Sequence, residues 1–402
     1  MEPKKLSVRW TYMIIGVIAM LFAGVLYAWS ILKSPLANEF GWSTSELALS
    51  FTLAMTFFCI GGLLGARISN KKGHRTALFV SGILSAMGFI LTAFLNNTSV
   101  SVLYLTYGVL AGLGIGISYN VVIATVSAWF PDKKGLCSGC LMMGFGASAL
   151  VLGNLADSMF KSTLGWRITY MILGVSIFFV ITLSGFLMKK PENIKLPVPE
   201  SKKKITEENN KDYTTLEMLL KPSFWMAFIC ISFLAAVGSS VISFAKDLAL
   251  SVNAPETLAV SLVGVLSVCN GLGRIITGAV FDAIGRRKTM LCANILTICA
   301  AFVTLISVAF SNLTLCIIGL CLTGMSYGSC PTITAAFTSS FFGMKHFPDN
   351  MAVMTFTVMG GSFIATASNK VLEVTGGYTG AFVMLLSLTF VALLLNIFIR
   401  KS

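Results

Sequence analysis

Long apolar runs alternate with short polar segments along almost the whole chain. A helix needs ~20 mainly apolar residues to cross the hydrocarbon core of a bilayer. Twelve runs are long enough, at residues 10–32, 45–66, 76–95, 101–127, 136–159, 167–188, 223–245, 257–281, 289–310, 313–338, 350–370 and 377–399. The first run is too long and too uniformly apolar for a cleaved signal peptide. The pattern therefore predicts an all-α membrane protein with twelve transmembrane helices.

A charged segment interrupts the apolar runs near the middle of the chain. Residues 189–221 contain three prolines and lack an apolar face. Such a segment cannot bury enough apolar surface to fold alone, so we expect a solvated cytoplasmic linker. The linker divides the chain into six helices within residues 1–188 and six within residues 222–402, and each set is expected to form one bundle.

The two halves resemble each other in sequence. The stretch ARISNKKGHR corresponds to GAVFDAIGRR in the second half, so that Gly73 matches Gly285. A second correspondence pairs Tyr119 with Tyr327 through a shared Ser-Tyr dipeptide. Similar halves in parallel orientation place a substrate site between them near mid-membrane. The repeats therefore predict two pseudo-symmetric six-helix bundles around a central site.

Composition and charge agree with a membrane protein. Of 402 residues, 11% are charged, whereas soluble proteins have about 25%. Of the 29 Lys and Arg residues, 23 lie at the chain ends, in the linker or in the even-numbered loops, all of which share one side of the membrane in a chain with twelve spans. The five on the other side are Lys33, Lys161, Arg167, Lys246 and Lys370. By the positive-inside rule both termini are cytoplasmic. Anionic lipid headgroups suffice as partners for the net charge of +13, so no nucleic-acid partner is expected.

One basic residue belongs to neither group. Arg274 lies in the eighth run, ~12 Å of helical rise before the polar end of that run at Asp282. A charge at the centre of a membrane helix costs at least ~2.5 kcal/mol on insertion scales. A guanidinium also binds a carboxylate in bidentate geometry. We therefore expect Arg274 to face a water-filled cavity and to bind a ligand carboxylate. The alternative is a structural arginine bonded to backbone carbonyls or loop acids.

Other polar and aromatic residues of the spans are further candidates for this pocket. Asn270 lies one turn before Arg274 on the same helix face. Four more lie in the first, fourth and tenth spans, namely Tyr27, Tyr119, Asn120 and Tyr327. A tyrosine is equally compatible with packing or with the membrane interface, whereas an amide facing lipid is costly. Lys33 is expected to be an ordinary end-of-helix lysine, or to attract anions to the mouth.

The segment GAVFDAIGRRK resembles the cytoplasmic loop motif of the major facilitator superfamily, G-x-x-x-D-x-x-G-R-[RK]. In that superfamily the aspartate pairs with basic groups at a neighbouring helix end and stabilises one conformation. The resemblance implies a gating latch formed by Gly278, Asp282, Gly285, Arg286 and Arg287. The first-half copy has Asn70 in place of the aspartate, so it lacks the acid on which such a latch depends.

A wider set of motifs resembles the oxalate/formate antiporter family, which is close to the monocarboxylate transporters. The set comprises YAWSILKSPLANEFGWS, GLGIGISYN, WFPDKKGLCSG, NGLGRIITG and FFGMKHF, and it extends over nearly the whole chain. The resemblance implies that Arg274 binds the substrate carboxylate. The oxalate exchanger of that family has a lysine on helix eleven, at or near the position of Met359 here. Proton-coupled monocarboxylate transporters have an aspartate where this chain has Asn270. Both departures favour exchange of a monocarboxylate such as lactate, pyruvate, formate or a short-chain acid.

The sequence thus predicts a secondary transporter of small organic anions, working by alternating access as a monomer in a bacterial inner membrane. The alternatives are an oxalate/formate-type dicarboxylate exchanger, a drug or amphiphile exporter, and a membrane anion sensor. An exporter would favour a wide aromatic pocket and buried acids, and a sensor would favour a large soluble domain. An enzyme, a cofactor or a metal is not expected, because the spans lack a metal cluster and a nucleophile–base pair. The chain also has no GxxxxGK[ST] phosphate-binding loop.

Overall fold

The computed structural model of the chain describes residues 2–96, 99–130, 134–189, 191, 212–343 and 346–399. Twelve helices within these residues are long and apolar enough to span a membrane, which confirms the prediction. We number them along the chain as α1 Val8–Phe40, α2 Thr44–Lys72, α3 His74–Ala93, α4 Val100–Ser127, α5 Gly139–Phe160, α6 Gly165–Leu187, α7 Pro222–Ser251, α8 Glu256–Phe281, α9 Arg287–Ala309, α10 Leu313–Phe342, α11 Asp349–Thr375 and α12 Tyr378–Phe398.

Successive spans alternate in direction, which places the two ends of the described chain together. Trp10 near the start of α1 packs on Phe130 after α4, and Trp129 donates to the Lys189 carbonyl after α6, so these helix ends share one end of the molecule, which we call the terminal side. The other end, which carries the α1–α2 turn and the α7–α8 turn, is the opposite side. The first half comprises α1 to α6 and the second half α7 to α12.

Three helices of the first half depart from regular α-helical geometry. Residues Gly24–Ala28 of α1 form a 3₁₀ turn, and Tyr104–Ala111 of α4 and Ala149–Gly153 of α5 form π-helical turns. A 3₁₀ turn tightens a helix and a π turn widens it, so each changes the direction of the side chains around it. Tyr27 lies within the 3₁₀ turn of α1.

Glycines set the closest helix contacts, and they do so identically in the two halves. A Cβ on Gly116 of α4 would lie 2.1 Å from the Phe58 carbonyl oxygen of α2, and a Cβ on Gly328 of α10 would lie 2.0 Å from the Asn270 carbonyl oxygen of α8. Both residues of the second pair lie 212 positions after their counterparts (116 to 328, 58 to 270). Only glycine permits this approach of the backbones, which is a usual packing device between membrane helices.

The same offset corrects one of the correspondences read from the sequence. Gly73 and Gly285 also lie 212 positions apart, and both adopt left-handed φ values, of 88° and 74°. At this offset the counterpart of Tyr119 is Pro331, and Tyr327 lies one helical turn earlier. The pairing of Tyr119 with Tyr327 is therefore wrong. The two Ser-Tyr dipeptides match in sequence, but the second one lies four residues before the position that packs like the first. The counterpart of Arg274 in the first half is Gly62.

The end of the predicted linker is folded, although most of its described residues are partly or fully exposed. Residues Thr215–Leu219 form a short helix that begins with a capping box between Thr214 and Glu217. Met218 of this helix is fully buried, and the Tyr213 amide donates to the Phe342 carbonyl at the end of α10. The prediction missed this helix because five residues carry too little periodicity. Residues 192–211 lie outside the described residues, and the division into two bundles with a linker stays a prediction.

The proposed gating latch is only partly described. Gly285 closes the turn between α8 and α9 with a φ that strongly favours glycine, which accounts for this residue of the motif. Gly278 lies near Thr332 of α10, and Arg287 is exposed. The side chains of Asp282 and Arg286 lie outside the described residues, so the latch stays a prediction.

Candidate functional site

A cavity of about 320 Å³ lies between the two halves. The first half contributes residues of α1, α2, α4 and α5, and the second half contributes residues of α8, α10 and α11. Its lining consists of Tyr27, Met55, Phe58, Tyr119, Asn120, Ile123, Ala124, Phe145, Arg274, Tyr327, Cys330, Pro331, Thr334, Met351, Thr355, Thr357 and Val358. Arg274 is the one charged residue among them. The cavity therefore combines a single cation with walls that are mostly apolar or aromatic.

Packing of α8 against α10 determines where the Arg274 side chain points. A Cβ on Gly273 would lie 2.2 Å from the Met325 carbonyl oxygen, so the two helices touch at this level. Arg274 follows at the edge of the contact and reaches across to the first half. Its Nη1 donates to the Tyr119 hydroxyl at 2.9 Å and also contacts the Met142 sulfur. The guanidinium thus bridges the two halves of the molecule.

The Arg274 guanidinium has neutral neighbours. The interacting groups around it are the phenols of Tyr119, Tyr27 and Tyr327 and the thioether of Met142. Within the part of the chain that the structure describes, no carboxylate forms an ion pair with it. A phenol and a thioether leave most of the five N–H donors of a guanidinium available to a ligand. The positive charge is therefore not neutralised by a fixed acid.

The cavity continues from Arg274 toward the terminal side. A second cavity of about 620 Å³ shares Tyr119, Arg274, Pro331 and Met351 with the first. Its remaining lining comes from the terminal-side halves of α5, α8 and α10, including Gly139, Gly278 and Ala335. Arg274 therefore borders both cavities, and the second one extends from it toward the terminal side.

The structure brings together four of the six residues expected beside Arg274. Tyr27, Tyr119, Asn120 and Tyr327 line the cavity. Asn270 does not: it is buried against α10, where its Oδ1 would be 3.1 Å from a Cβ on Gly328. Met359 does not line it either, because α11 turns Thr355 and Val358 inward instead. Asn270 does lie one helical turn before Arg274 on α8, but α10 packs over it and separates it from the cavity.

Aromatic residues that the sequence did not single out form one wall. The ring of Phe145 on α5 contacts Tyr27 and Tyr119 edge-on, with centroids 5.0 and 5.2 Å apart. Phe58 on α2 lies 4.9 Å from Tyr119. We call Tyr27, Phe58, Tyr119 and Phe145 the aromatic wall. Phe58 and Phe145 carry no signal in the sequence, because phenylalanines facing lipid look the same.

On the opposite side the halves are joined by ion pairs. Lys33 of α1 pairs with Asp247 of α7 at 2.8 Å, and its side chain is 5% exposed. Lys246 of α7 lies 3.4 Å from Asp157 of α5 and 3.4 Å from Glu256 of α8. Lys161, just after α5, binds Asp157 at 2.8 Å and Glu256 at 3.1 Å. We call these six residues the opposite-side ion cluster.

The ion cluster corrects two expectations. Lys33 is not an ordinary end-of-helix lysine, because it is buried and paired across the halves. The predicted runs also left Lys246 outside the seventh span, whereas it lies within α7 and is buried, as is Asp157 of α5. Hydrogen bonding to Asp157 raises the pKa of Lys161 above its ordinary value. Arg274 differs from the buried lysines in lacking a carboxylate partner among the described residues.

The family model of the Major Facilitator Superfamily matches residues 12–365 and, in a second match, residues 227–402. The chain belongs to the major facilitator superfamily. It is 28% identical over 356 residues to the uncharacterized MFS-type transporter YhjX of Escherichia coli, covering 86% of this chain and 84% of that protein. It is 32% identical over 288 residues to the oxalate:formate antiporter of Oxalobacter formigenes, covering 70% of this chain and 65% of that protein. Mouse monocarboxylate transporter 1 is 31% identical over 180 residues, which cover 44% of this chain and 35% of that protein.

Solved structures of the same superfamily share the fold. A mutant of the nucleoside transporter NupG matches with a TM-score of 0.74 at 12% identity over 98% of this chain and 100% of that one. The D-xylose–proton symporter matches with a TM-score of 0.73 at 15% identity over 98% of both chains. These likenesses concern the fold alone. The family match, the transporter relatives and the twelve spans make the chain a multi-pass membrane transporter rather than an enzyme.

Proposed function

We propose that this transporter carries small organic anions, specifically monocarboxylates, and that Arg274 binds the carboxylate. The observation that carries the proposal is the cationic guanidinium at the junction of two cavities with only phenols and a thioether around it. Placing such a charge inside a membrane protein costs at least ~2.5 kcal/mol. A carboxylate arriving with the substrate offsets that cost through charge-assisted, bidentate hydrogen bonds.

The names of two relatives support the anion class. The Oxalobacter formigenes relative is an oxalate:formate antiporter, and the mouse relative is a monocarboxylate transporter. Between these two, the cavity favours the monocarboxylate, because a dicarboxylate would have one charge without a fixed cation among the lining residues. The aromatic wall fits the alternative of an amphiphile exporter, but the buried acids expected of that class do not border the cavity.

We further propose alternating access between the two sides of a bacterial inner membrane, with the terminal side in the cytoplasm. All five bases on the opposite side are paired with carboxylates, namely Lys33, Lys161, Arg167, Lys246 and Lys370. This leaves the excess positive charge on the terminal side, as the positive-inside rule requires of a cytoplasmic face. We propose that the ion cluster closes the opposite side in this conformation and that substrate enters from the terminal side, toward which the second cavity extends. The protein is expected to act as a monomer.

Anion exchange is the proposed mode of coupling. None of the lining residues is a carboxylate that could take up a proton together with the substrate. The buried acid Asp157 lies outside this lining, and it is already paired with Lys161 and Lys246. Exchange needs no proton site, because the outgoing anion and the incoming anion bind the same arginine in turn.

Uptake into proteoliposomes tests the proposal. Labelled phenylacetate and lactate are measured with and without unlabelled monocarboxylate preloaded inside. We expect preloading to accelerate uptake and Arg274→Ala to abolish it, while Arg67→Ala, at an exposed position of α2, leaves it unchanged. Equal uptake by the Arg274→Ala variant would refute the binding role. Dependence on an inward proton gradient, with no effect of preloading, would refute exchange.

A further inference from the structure

We infer that the preferred substrate is a monocarboxylate whose remaining part is apolar and about the size of a phenyl ring, rather than formate, acetate or lactate. The inference rests on the proposed function, because it takes the carboxylate on Arg274 as the fixed end of the ligand. It depends on three features of the cavity: its volume, the distribution of charge along its lining and the nature of its two walls.

The cavity is large for a small acid. Its volume of about 320 Å³ equals that of about ten waters at liquid density. Pockets of about 300–1,000 Å³ hold ligands of drug size. Formate or acetate bound to Arg274 would leave most of this space to water lying against apolar walls. A ligand with a larger apolar body would displace that water, which is favourable in proportion to the apolar area covered.

The walls suit a flat apolar body. On the first-half side, Phe58 and Phe145 of the aromatic wall both contact Tyr119, whose hydroxyl accepts from Arg274, and the two phenylalanine ring centroids lie 6.2 Å apart. On the second-half side, Val358 and Pro331 face the same space. A carboxylate beside the Tyr119 hydroxyl therefore has its substituent between rings on one side and aliphatic groups on the other. Aromatic groups gain edge-to-face contacts there beyond the area they bury.

The distribution of charge excludes other large anions. Arg274 is the one cation of the lining, so a second carboxylate would lie against apolar groups without a partner. No acidic residue lines the described cavity, so the ammonium group of an amino acid would have no partner and would be repelled by Arg274. The ligand is therefore a plain, 2-oxo or 2-hydroxy acid with one charge.

Binding to the purified transporter, measured by isothermal titration, tests the inference. The probes are acetate, butyrate, phenylacetate, oxalate and phenylalanine. We expect affinity to rise about fourfold for each methylene that is buried. Phenylacetate should bind at least tenfold more tightly than acetate, oxalate or phenylalanine. Acetate binding as tightly as phenylacetate would overturn the inference while leaving the proposed function intact, whereas absence of binding by every carboxylate would overturn both.

Substituting one wall residue links the preference to this cavity. Val358→Trp should fill the space beside Arg274 and lower the ratio of phenylacetate to acetate affinity at least tenfold. The matched control is Val391→Trp, on an exposed face of α12, which should leave the ratio unchanged. An unchanged ratio in the Val358→Trp protein, with both acids still binding, would place the apolar body elsewhere and refute the assignment.

Discussion

Replacing Lys246 by methionine should increase the fraction of molecules that are open on the opposite side. The Lys246 side chain is 7% exposed and lies 3.4 Å from both Asp157 and Glu256, so it joins α7 to α5 of the other half. Removing one partner of a buried ion pair costs about 3–5 kcal/mol, because the remaining charge is uncompensated. Asp157 keeps Lys161 at 2.8 Å, and that lysine is 47% exposed, so we reduce the cost to about 2 kcal/mol.

This cost falls on the conformation in which the opposite side is closed. A change of about 2 kcal/mol raises the ratio of molecules open on the opposite side to molecules closed there by about 30-fold. Nitroxide labels at the exposed residues Ser162 and Ser311, one in each half, would report the change by pulsed electron–electron double resonance. The ten native cysteines are replaced first. The distance distribution should gain a longer component in the Lys246→Met protein.

Two comparisons make the result specific. Lys370→Met removes a lysine whose ion-pair partner, Glu373, lies on its own helix, so the distribution should not change. Adding Asp157→Asn to Lys246→Met removes the carboxylate that has lost its lysine partner. The longer-distance component in the double variant should therefore be smaller than expected from the two single variants. A distribution in Lys246→Met that matches the wild type, or a shift of equal size in Lys370→Met, would refute the role given to the ion cluster.

Three further changes test the site itself. Tyr119→Phe removes the hydroxyl bound to Arg274 and should weaken carboxylate binding about fivefold, corresponding to ~1 kcal/mol for one hydrogen bond; unchanged affinity in a titration would exclude this contact from the bound state. Val358→Lys adds a second cation to the cavity and should raise competition by oxalate at least tenfold in uptake assays, whereas equal competition would contradict the inward orientation of Val358. Gly328→Val forces α10 away from α8 and should lower the melting temperature and uptake together, and a fully stable, active variant would contradict the close contact at Asn270.

The spans and their number were predictable because each membrane helix is a local feature of about twenty apolar residues. Arg274 was predictable for the same reason, since one charge in an apolar run is visible without knowledge of its neighbours. The helix of Thr215–Leu219 was missed because five residues are too few to show a periodicity, and the burial of Met218 depends on contacts that only the folded chain makes.

The ion cluster and the aromatic wall depend on contacts between distant parts of the chain. Lys33 and Asp247 are brought together only by the packing of α1 against α7, and each looks like an ordinary helix-end charge in the sequence. Phe145 of the wall and Phe179, which is 64% exposed, are equally apolar in the sequence. The side of a helix that faces the cavity is fixed by packing, and this is why Asn270 and Met359 were placed in the lining while Phe58 and Val358 were not.

The most direct test of carboxylate binding by Arg274 varies the residue and the ligand charge together. Phenylacetate and its neutral amide, phenylacetamide, are titrated into the wild type and into Arg274→Gln. We predict that the wild type prefers the acid by about 100-fold, the equivalent of one charge-assisted interaction of ~3 kcal/mol, and that the variant loses this preference. Equal preference for the acid in both proteins would contradict the account, because the carboxylate would then be bound by another group.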